Sequence, residues 1–348
     1  MTLPTIELPT LASRARPSVI DAASLIESLE QSSSHLGSAA NPHLLPLGLD
    51  PLDRVLGGGL RIHDLLVLAG RPGVGKTVAA LQMARHIALS GSTVVFACYE
   101  HDPLTLVARL LAFEIGSVKL PHTDWYHMDG VRTLLGEVVS GRVSIASASC
   151  DPMMRAALSR LDEYAHRLHL VRASPSDTGL AELQSIVHQV QSGPTVLFVD
   201  YLQKVRPAHE STSHIDHVAQ VTAGLKEAAL QSAFSVVAIG AIGSPGLMRR
   251  RIHLAHLDAA VAVGYDSDVV ILMNDKRSIV SANQIAHTLE QADRFRQRVV
   301  FTVEKNRGGV APVDVEFVKD FEHFRFEPSG SYVAEQLIED GEIDDFRA

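Results

Sequence analysis

The 348-residue chain carries a net charge of −9, with 40 acidic side chains against 31 Lys and Arg. That balance excludes a surface that coats duplex DNA by general phosphate attraction, so any nucleic-acid contact must be local. The two cysteines, Cys98 and Cys150, form no C-x-x-C pair, and no H-E-x-x-H spacing occurs, which argues against a disulfide framework or a protein-ligated zinc centre.

Residues 1–45 are rich in Pro, Ser and Ala around a helix-like stretch at 19–29. Ile20, Ala23, Leu25, Ile26 and Leu29 mark one apolar face, so this segment reads as an arm that docks on its own core or on a neighbouring subunit. No stretch approaches the roughly 20 apolar residues of a membrane span, and no signal-type hydrophobic core opens the chain; the expectation is a cytoplasmic protein without membrane contact. From Pro46 to about residue 330, strand-like runs alternate with helical periods, the pattern of an α/β domain with a mainly parallel sheet covered on both faces. Strands are expected at 65–69, 93–98, 168–171, 195–199, 235–239, 269–273 and 299–303. Between Phe113 and Pro152, around Trp125 and Tyr126, the pattern weakens to helices and loops. Residues 331–348 form an acidic tail in which Glu335, Glu339, Asp340, Glu342, Asp344 and Asp345 read as solvated, with partner docking as the other reading.

Directly after the first of these runs stands Gly70-Arg71-Pro72-Gly73-Val74-Gly75-Lys76-Thr77, a complete G-x-x-x-x-G-K-T phosphate loop. The glycines let successive backbone N–H groups point at a phosphate, Lys76 reaches the β- and γ-phosphates, and Thr77 is placed to ligate Mg²⁺. A helix beginning here adds its N-terminal partial positive charge. ATP and Mg²⁺ are the expected ligands.

The run Thr195-Val196-Leu197-Phe198-Val199 ends in Asp200, as required of the carboxylate that holds the metal opposite the phosphate loop. A hydrolase also needs a carboxylate that orients the attacking water at the end of a neighbouring strand. Glu100, after the strand at 93–98, fits that place, with His101 and Asp102 as other polar candidates.

Asp200-Tyr201-Leu202-Gln203 resembles the DnaB-type replicative helicases among the RecA-like ATPases. Several segments agree in order: Gly48-Leu49-Asp50-Pro51-Leu52-Asp53, Leu56-Gly57-Gly58-Gly59-Leu60, Glu100, Leu225-Lys226-Glu227-Ala228-Ala229, Asp266-Ser267-Asp268-Val269-Val270 and Lys305-Asn306-Arg307-Gly308-Gly309. The resemblance covers roughly residues 46–327. It implies a RecA-like core in a hexameric ring or a filament, with ATP at subunit interfaces, Glu100 as the catalytic glutamate, and Lys305 and Arg307 reaching into the next subunit's site. Gln203, beside Asp200, is a candidate nucleotide-binding residue and a candidate relay to the pore loops.

Two departures stand out. The family's separate N-terminal helical domain has no counterpart in the arm, whose helix stands by position where the family has a linker helix. After the strand at 235–239 the family has Ser-Gln, whereas this chain reads Gly240-Ala241-Ile242-Gly243; a side chain without hydrogen-bonding atoms cannot report on a γ-phosphate, which puts coupled translocation in doubt. Lys204 and Arg206 in one loop, and Arg249, Arg250 and Arg251 in the next, fall where a RecA-like ring faces its channel and suit a single-stranded phosphate backbone; neither loop offers aromatic stacking. The leading expectation is thus a Mg²⁺-dependent ATPase that binds single-stranded DNA and translocates or unwinds as DnaB-type helicases do. The alternative is a RadA- or KaiC-like regulatory or scaffold ATPase that acts on protein partners through the arm or tail. An inactive ATP-binding module and a small-molecule kinase stand behind these.

Overall fold

The computed structural model describes residues 44–118, 144–280 and 289–338, together with Ala22, Gly136, Glu137, Ser140 and Arg142. The chain divides into residues 1–41 and 42–348, and the architecture that follows is that of the second unit. Apart from Ala22, the helix expected at 19–29, the stretch around Trp125 and Tyr126, and the tail beyond Ile338 lie outside the described residues.

The strands are β1 (Leu44–Leu45), β2 (Leu60–Arg61), β3 (Leu65–Gly70), β4 (Thr93–Cys98), β5 (Leu168–Arg172), β6 (Thr195–Asp200), β7 (Ser235–Gly240), β8 (Val269–Asp275), β9 (Arg298–Asn306), β10 (Val313–Asp320), β11 (Arg325–Phe326) and β12 (Ser331–Tyr332). The longer helices are α1 (Asp50–Val55), α2 (Lys76–Leu89), α3 (Pro103–Ser117), α4 (Pro152–Ala165), α5 (Leu180–Val190), α6 (His214–Ser232), α7 (Ala260–Asp266) and α8 (Leu289–Arg296). All seven expected strands form. The main sheet runs β11-β10-β9-β8-β3-β7-β6-β4-β5, with β12 on β10. From β8 to β5 the pairing is parallel, and β9 to β12 join antiparallel.

The apolar runs are continuous because both faces of the parallel strands are covered; every residue of β3, β4, β6 and β7 is buried. Alternate residues then sort to two cores. Leu66, Leu68, Phe96 and Phe198 pack with Ala80, Met83 and Ile87 of α2 on one side. Leu65, Val67, Leu197 and Val236 pack with Leu183 of α5 and Val221 and Leu225 of α6 on the other. Chain order and sheet order differ: β7 lies between β3 and β6, so the C-terminal ends of β3, β6 and β4 open on one edge with the end of β7 between them.

A buried ion pair fastens the helix that follows the phosphate loop. Arg85 of α2 makes a two-point contact with Glu114 of α3 at 2.6 and 2.9 Å, and Tyr164 of α4 donates to the same carboxylate at 2.9 Å. Removing one partner from such a pair costs about 3–5 kcal/mol. At the far end of the sheet the fully buried Lys276 pairs with Glu316 and with Glu335, the latter at 2.6 Å. Leu337 and Ile338 are buried beside it. The start of the acidic tail is therefore docked on the sheet rather than solvated, because Glu335 neutralises a lysine that has no access to water.

Candidate active site

Gly73 and Gly75 of the phosphate loop hold φ values of +79° and +101°, backbone that side-chain-bearing residues rarely adopt. A Cβ on Gly75 would also lie 2.6 Å from the ring of Phe321, so the loop is close-packed there, where it borders a cleft of about 490 Å³. Pro72, Gly73, Gly75, Lys76 and Thr77 line this cleft, as do Glu100 and Asp200. Gly70 and Arg71 contribute backbone instead: their carbonyl oxygens accept from Lys76 Nζ at 2.8 and 3.0 Å. Val74 turns into the core.

Asp200 ends β6 at 1% exposure and accepts from the Thr77 hydroxyl at 2.8 Å. Burial pushes its carboxyl up to about 6, opposed by the Thr77 hydrogen bond and by Lys76, while the Glu100 charge pushes it further up. Burial lowers Lys76 in turn, against the pull of Asp200 and Glu100. Cys98 lies alongside, its Sγ 3.8 Å from the Asp200 carboxylate, and burial raises its thiol. The donor set fits the expected ligands. A hydroxyl and a carboxylate converge as a hard-cation site requires, a half-buried ammonium rests on loop carbonyls, and the Arg71 Nε is buried without a hydrogen-bond partner, a donor left over beside an anion cradle.

Glu100 lies exposed at the cleft, two residues past β4. Beside it stands Arg109 of α3, which sequence reading missed. It lines the cleft with its guanidinium stacked 5.4 Å over the Phe324 ring, and burial lowers its pKa against the pull of Cys98, Asp200 and Glu100. Its signal was present as a lone cation within Val107-Ala108-Arg109-Leu110-Leu111, an otherwise apolar stretch two helical turns past the Asp102 N-cap. His101, Tyr201, Phe321 and Phe324 also line the cleft. The two phenylalanines arrive from the β10–β11 turn, over a hundred residues away in sequence, and carry no local signature.

Lys305 and Arg307 lie elsewhere. The Asp268 N–H donates to the Leu65 carbonyl at 2.8 Å and the Arg307 N–H to the Asp268 carbonyl at 2.9 Å, which sets this segment level with the start of β3. Gly70 is then about 17 Å further along the strand. Lys305 donates to the carbonyls of Gly264 and Ser267, and Arg307 to the Asp268 carboxylate at 3.1 Å and to the Tyr265 carbonyl. Asp268 also accepts from Lys226 at 2.6 Å.

Gln203 does not line the cleft; both ends of its amide engage the backbone of Ala241. Lys204 is exposed, with its ammonium over the Tyr201 ring, whereas Arg206 pairs with Glu182 at 3.0 Å and with the Ser176 carbonyl. Arg249 and Arg250 are exposed. Arg251 is the clear departure from expectation: at 5% exposure it binds both oxygens of Asp314 at 2.9 Å, so it belongs to the foundation of its loop and not to the tip.

Residues 45–326 match the family described as DnaB-like helicase C terminal domain. The replicative DNA helicase DnaB of Treponema pallidum (strain Nichols) is 25% identical over 281 residues, spanning 80% of this chain and 55% of that protein. The DNA repair protein RadA of Mycolicibacterium smegmatis (strain ATCC 700084 / mc(2)155) is 28% identical over a shorter stretch of 165 residues, 42% of this chain and 35% of that protein. Among solved structures, a DnaB-like replicative helicase, described together with its interactions with primase, superposes with a TM-score of 0.66 at 18% identity, over 88% of this chain and 68% of that one. The chain spans a little over half the length of the DnaB and DnaC relatives it matches.

Proposed function

The chain belongs to the DnaB-like helicase C-terminal domain family, and from that premise we propose that it is a Mg²⁺-dependent ATPase that assembles with copies of itself into a ring or filament and works on single-stranded DNA. The observation that carries this reading is the partition of charge across the sheet. Lys76, Thr77, Glu100 and Asp200 share one cleft, while Lys305 and Arg307 lie at the opposite edge, out of reach of their own nucleotide.

Within the cleft, Lys76, which rests on the carbonyls of Gly70 and Arg71, would hold the β- and γ-phosphates, and Thr77 and Asp200 would hold the metal. When bound, Mg²⁺ would supply the positive charge that offsets the phosphates. Glu100 orients the attacking water and takes its proton. Arg109 adds a cation from the same protomer, and Lys305 and Arg307 serve the site of the next one, which makes turnover depend on assembly. The edge that carries Arg307 suits a second copy: Val261, Tyr265 and Val310 beside it are 72, 74 and 73% exposed. Lys204, Arg249 and Arg250 offer the positive charge for a single-stranded backbone, and a cytoplasmic location goes with this reading.

Steady-state ATP hydrolysis with and without single-stranded DNA, against Lys76→Ala as background, tests the proposal. Stimulation by DNA is the expected result. The regulatory ATPase reading is favoured by one observation, the engagement of Arg206 and Arg251 by Glu182 and Asp314. Turnover indifferent to DNA selects it.

A further inference from the structure

Side-chain amides fasten the loop after β7 at both of its ends. At Ala241, Gln203 donates through Nε2 to the carbonyl oxygen at 3.3 Å and accepts the backbone N–H through Oε1 at 3.1 Å. At Ile252, Asn274 of β8 makes the same pair of bonds at 3.1 and 2.8 Å. Between the two clasps the tip is open, with Met248 87% exposed and Leu247, Arg249 and Arg250 beside it.

The ends differ in what stands behind them. Past Ile252 the chain is held repeatedly: Arg251 on Asp314, His253 Nδ1 on Glu304 at 2.6 Å, and the Leu254 N–H on Glu304 at 2.6 Å. That end is a fixed post on β8, β9 and β10. Ala241 instead lines the nucleotide cleft beside Asp200 and Tyr201. The residue pairing of β6 with β7 ends at Asp200 and Ile239. Gln203, three residues beyond Asp200, extends that ladder by one rung made of side chain. An amide is suited to this because it offers a donor and an acceptor together, so one group fixes both the position and the orientation of a peptide unit. Ala241 has a methyl group and no polar atom of its own to sense a ligand.

Resting on the ATPase reading above, we infer that Gln203 is a positioning residue that couples the two sites: its clasp on the Ala241 backbone carries a shift of the Asp200 strand end into the loop that presents Met248, Arg249 and Arg250. Nucleotide state reaches this loop through a backbone grip contributed by the neighbouring loop.

Hydrogen exchange followed by mass spectrometry on the full chain, with and without Mg²⁺ and a non-hydrolysable ATP analogue, tests this without any DNA. In the parent protein the analogue slows exchange both in the phosphate loop at 71–77 and in the loop at 242–250. In Gln203→Ala the phosphate-loop protection persists, and the analogue's effect on 242–250 falls at least tenfold. Gln203→Glu, which keeps the acceptor and loses the donor, gives an intermediate response and serves should the alanine variant fold poorly. Asn274→Ala loosens the fixed post, speeding exchange in both states while the analogue-dependent difference remains. The inference is overturned if 242–250 responds equally in Gln203→Ala, if Asn274→Ala abolishes the difference as fully, or if the parent loop is silent while its phosphate loop is protected. A parent protein without phosphate-loop protection sinks the ATPase reading itself, and this inference with it.

Discussion

At the C-terminal edge of β3, β4 and β6, burial works against charge: Asp200 is pushed up to about 6, and Lys76 and Arg109 are both lowered. At the N-terminal edge Asp268, 6% exposed, instead gathers Lys226 at 2.6 Å, Arg307 at 3.1 Å and the Leu65 N–H at 2.8 Å. One edge leaves ionisable groups short of compensation, which a metal and a polyphosphate can supply. The other satisfies its carboxylate internally, with Lys226 and Arg307 held on Asp268. Under the proposed function the same sheet carries a receptive site and a donor surface, and their separation would make a lone subunit a poor hydrolase.

The sharpest way to break this contrast is at the donor edge. Arg307→Ala should lower turnover by about 10³–10⁵-fold while leaving ATP binding nearly intact. Mixing it with Glu100→Gln subunits should restore part of the activity, since one interface then carries both intact groups; no recovery in the mixture refutes action across the interface. On the receptive edge, Glu100→Gln alone should cost about 10²–10⁴-fold in kcat with little change in nucleotide affinity, read by steady-state hydrolysis beside equilibrium binding.

Stability should separate the edges in sign. Asp268→Ala leaves Lys226 and Arg307 without their carboxylate and should destabilise by about 3–5 kcal/mol in urea titration. Asp200→Asn should do the reverse in the ligand-free protein. Because the folded pKa of about 6 lies above the ordinary 3.8, the folded state keeps a proton between those values that the unfolded chain has lost. Stability is therefore lost as pH rises through that window, reaching about 3 kcal/mol at pH 7. The variant's advantage should grow from pH 4 to pH 7 while its Mg²⁺-dependent turnover vanishes; an advantage that does not change with pH contradicts the burial argument. The smallest expected effect is Arg109→Ala, about a tenfold rise in KM for ATP from the loss of one charge-assisted contact, with thermal stability close to that of the parent.

Much of the receptive edge was legible in advance because its parts are local. Gly70 to Thr77 form a contiguous motif whose spacing has a mechanical reason, and Glu100 and Asp200 each sit at or just past the end of a long apolar run that can only be a buried strand. Arg109 was harder, since a helix must wind two turns from Glu100 before the cation faces the cleft. Phe321 and Phe324 carried no signal, because the β10–β11 turn meets the phosphate loop through contacts far apart in the chain. In the two arginine-bearing loops, charge counting went astray for the same reason: three consecutive arginines look alike in sequence, yet Arg251 turns inward to Asp314.

Sequence by itself determined the strands, the phosphate loop and the carboxylate that ends β6, since period, burial and backbone freedom are set by residues close together along the chain. Which loops clasp one another, which arginines remain at the surface, and the distance that keeps Lys305 and Arg307 from their own cleft were decided by tertiary structure, where the strand order interposes β7 between β3 and β6 and brings Gln203 to Ala241. Those contacts join residues 38 and more positions apart, and a hydrogen bond across such a gap depends on the path of the backbone rather than on the spacing of letters.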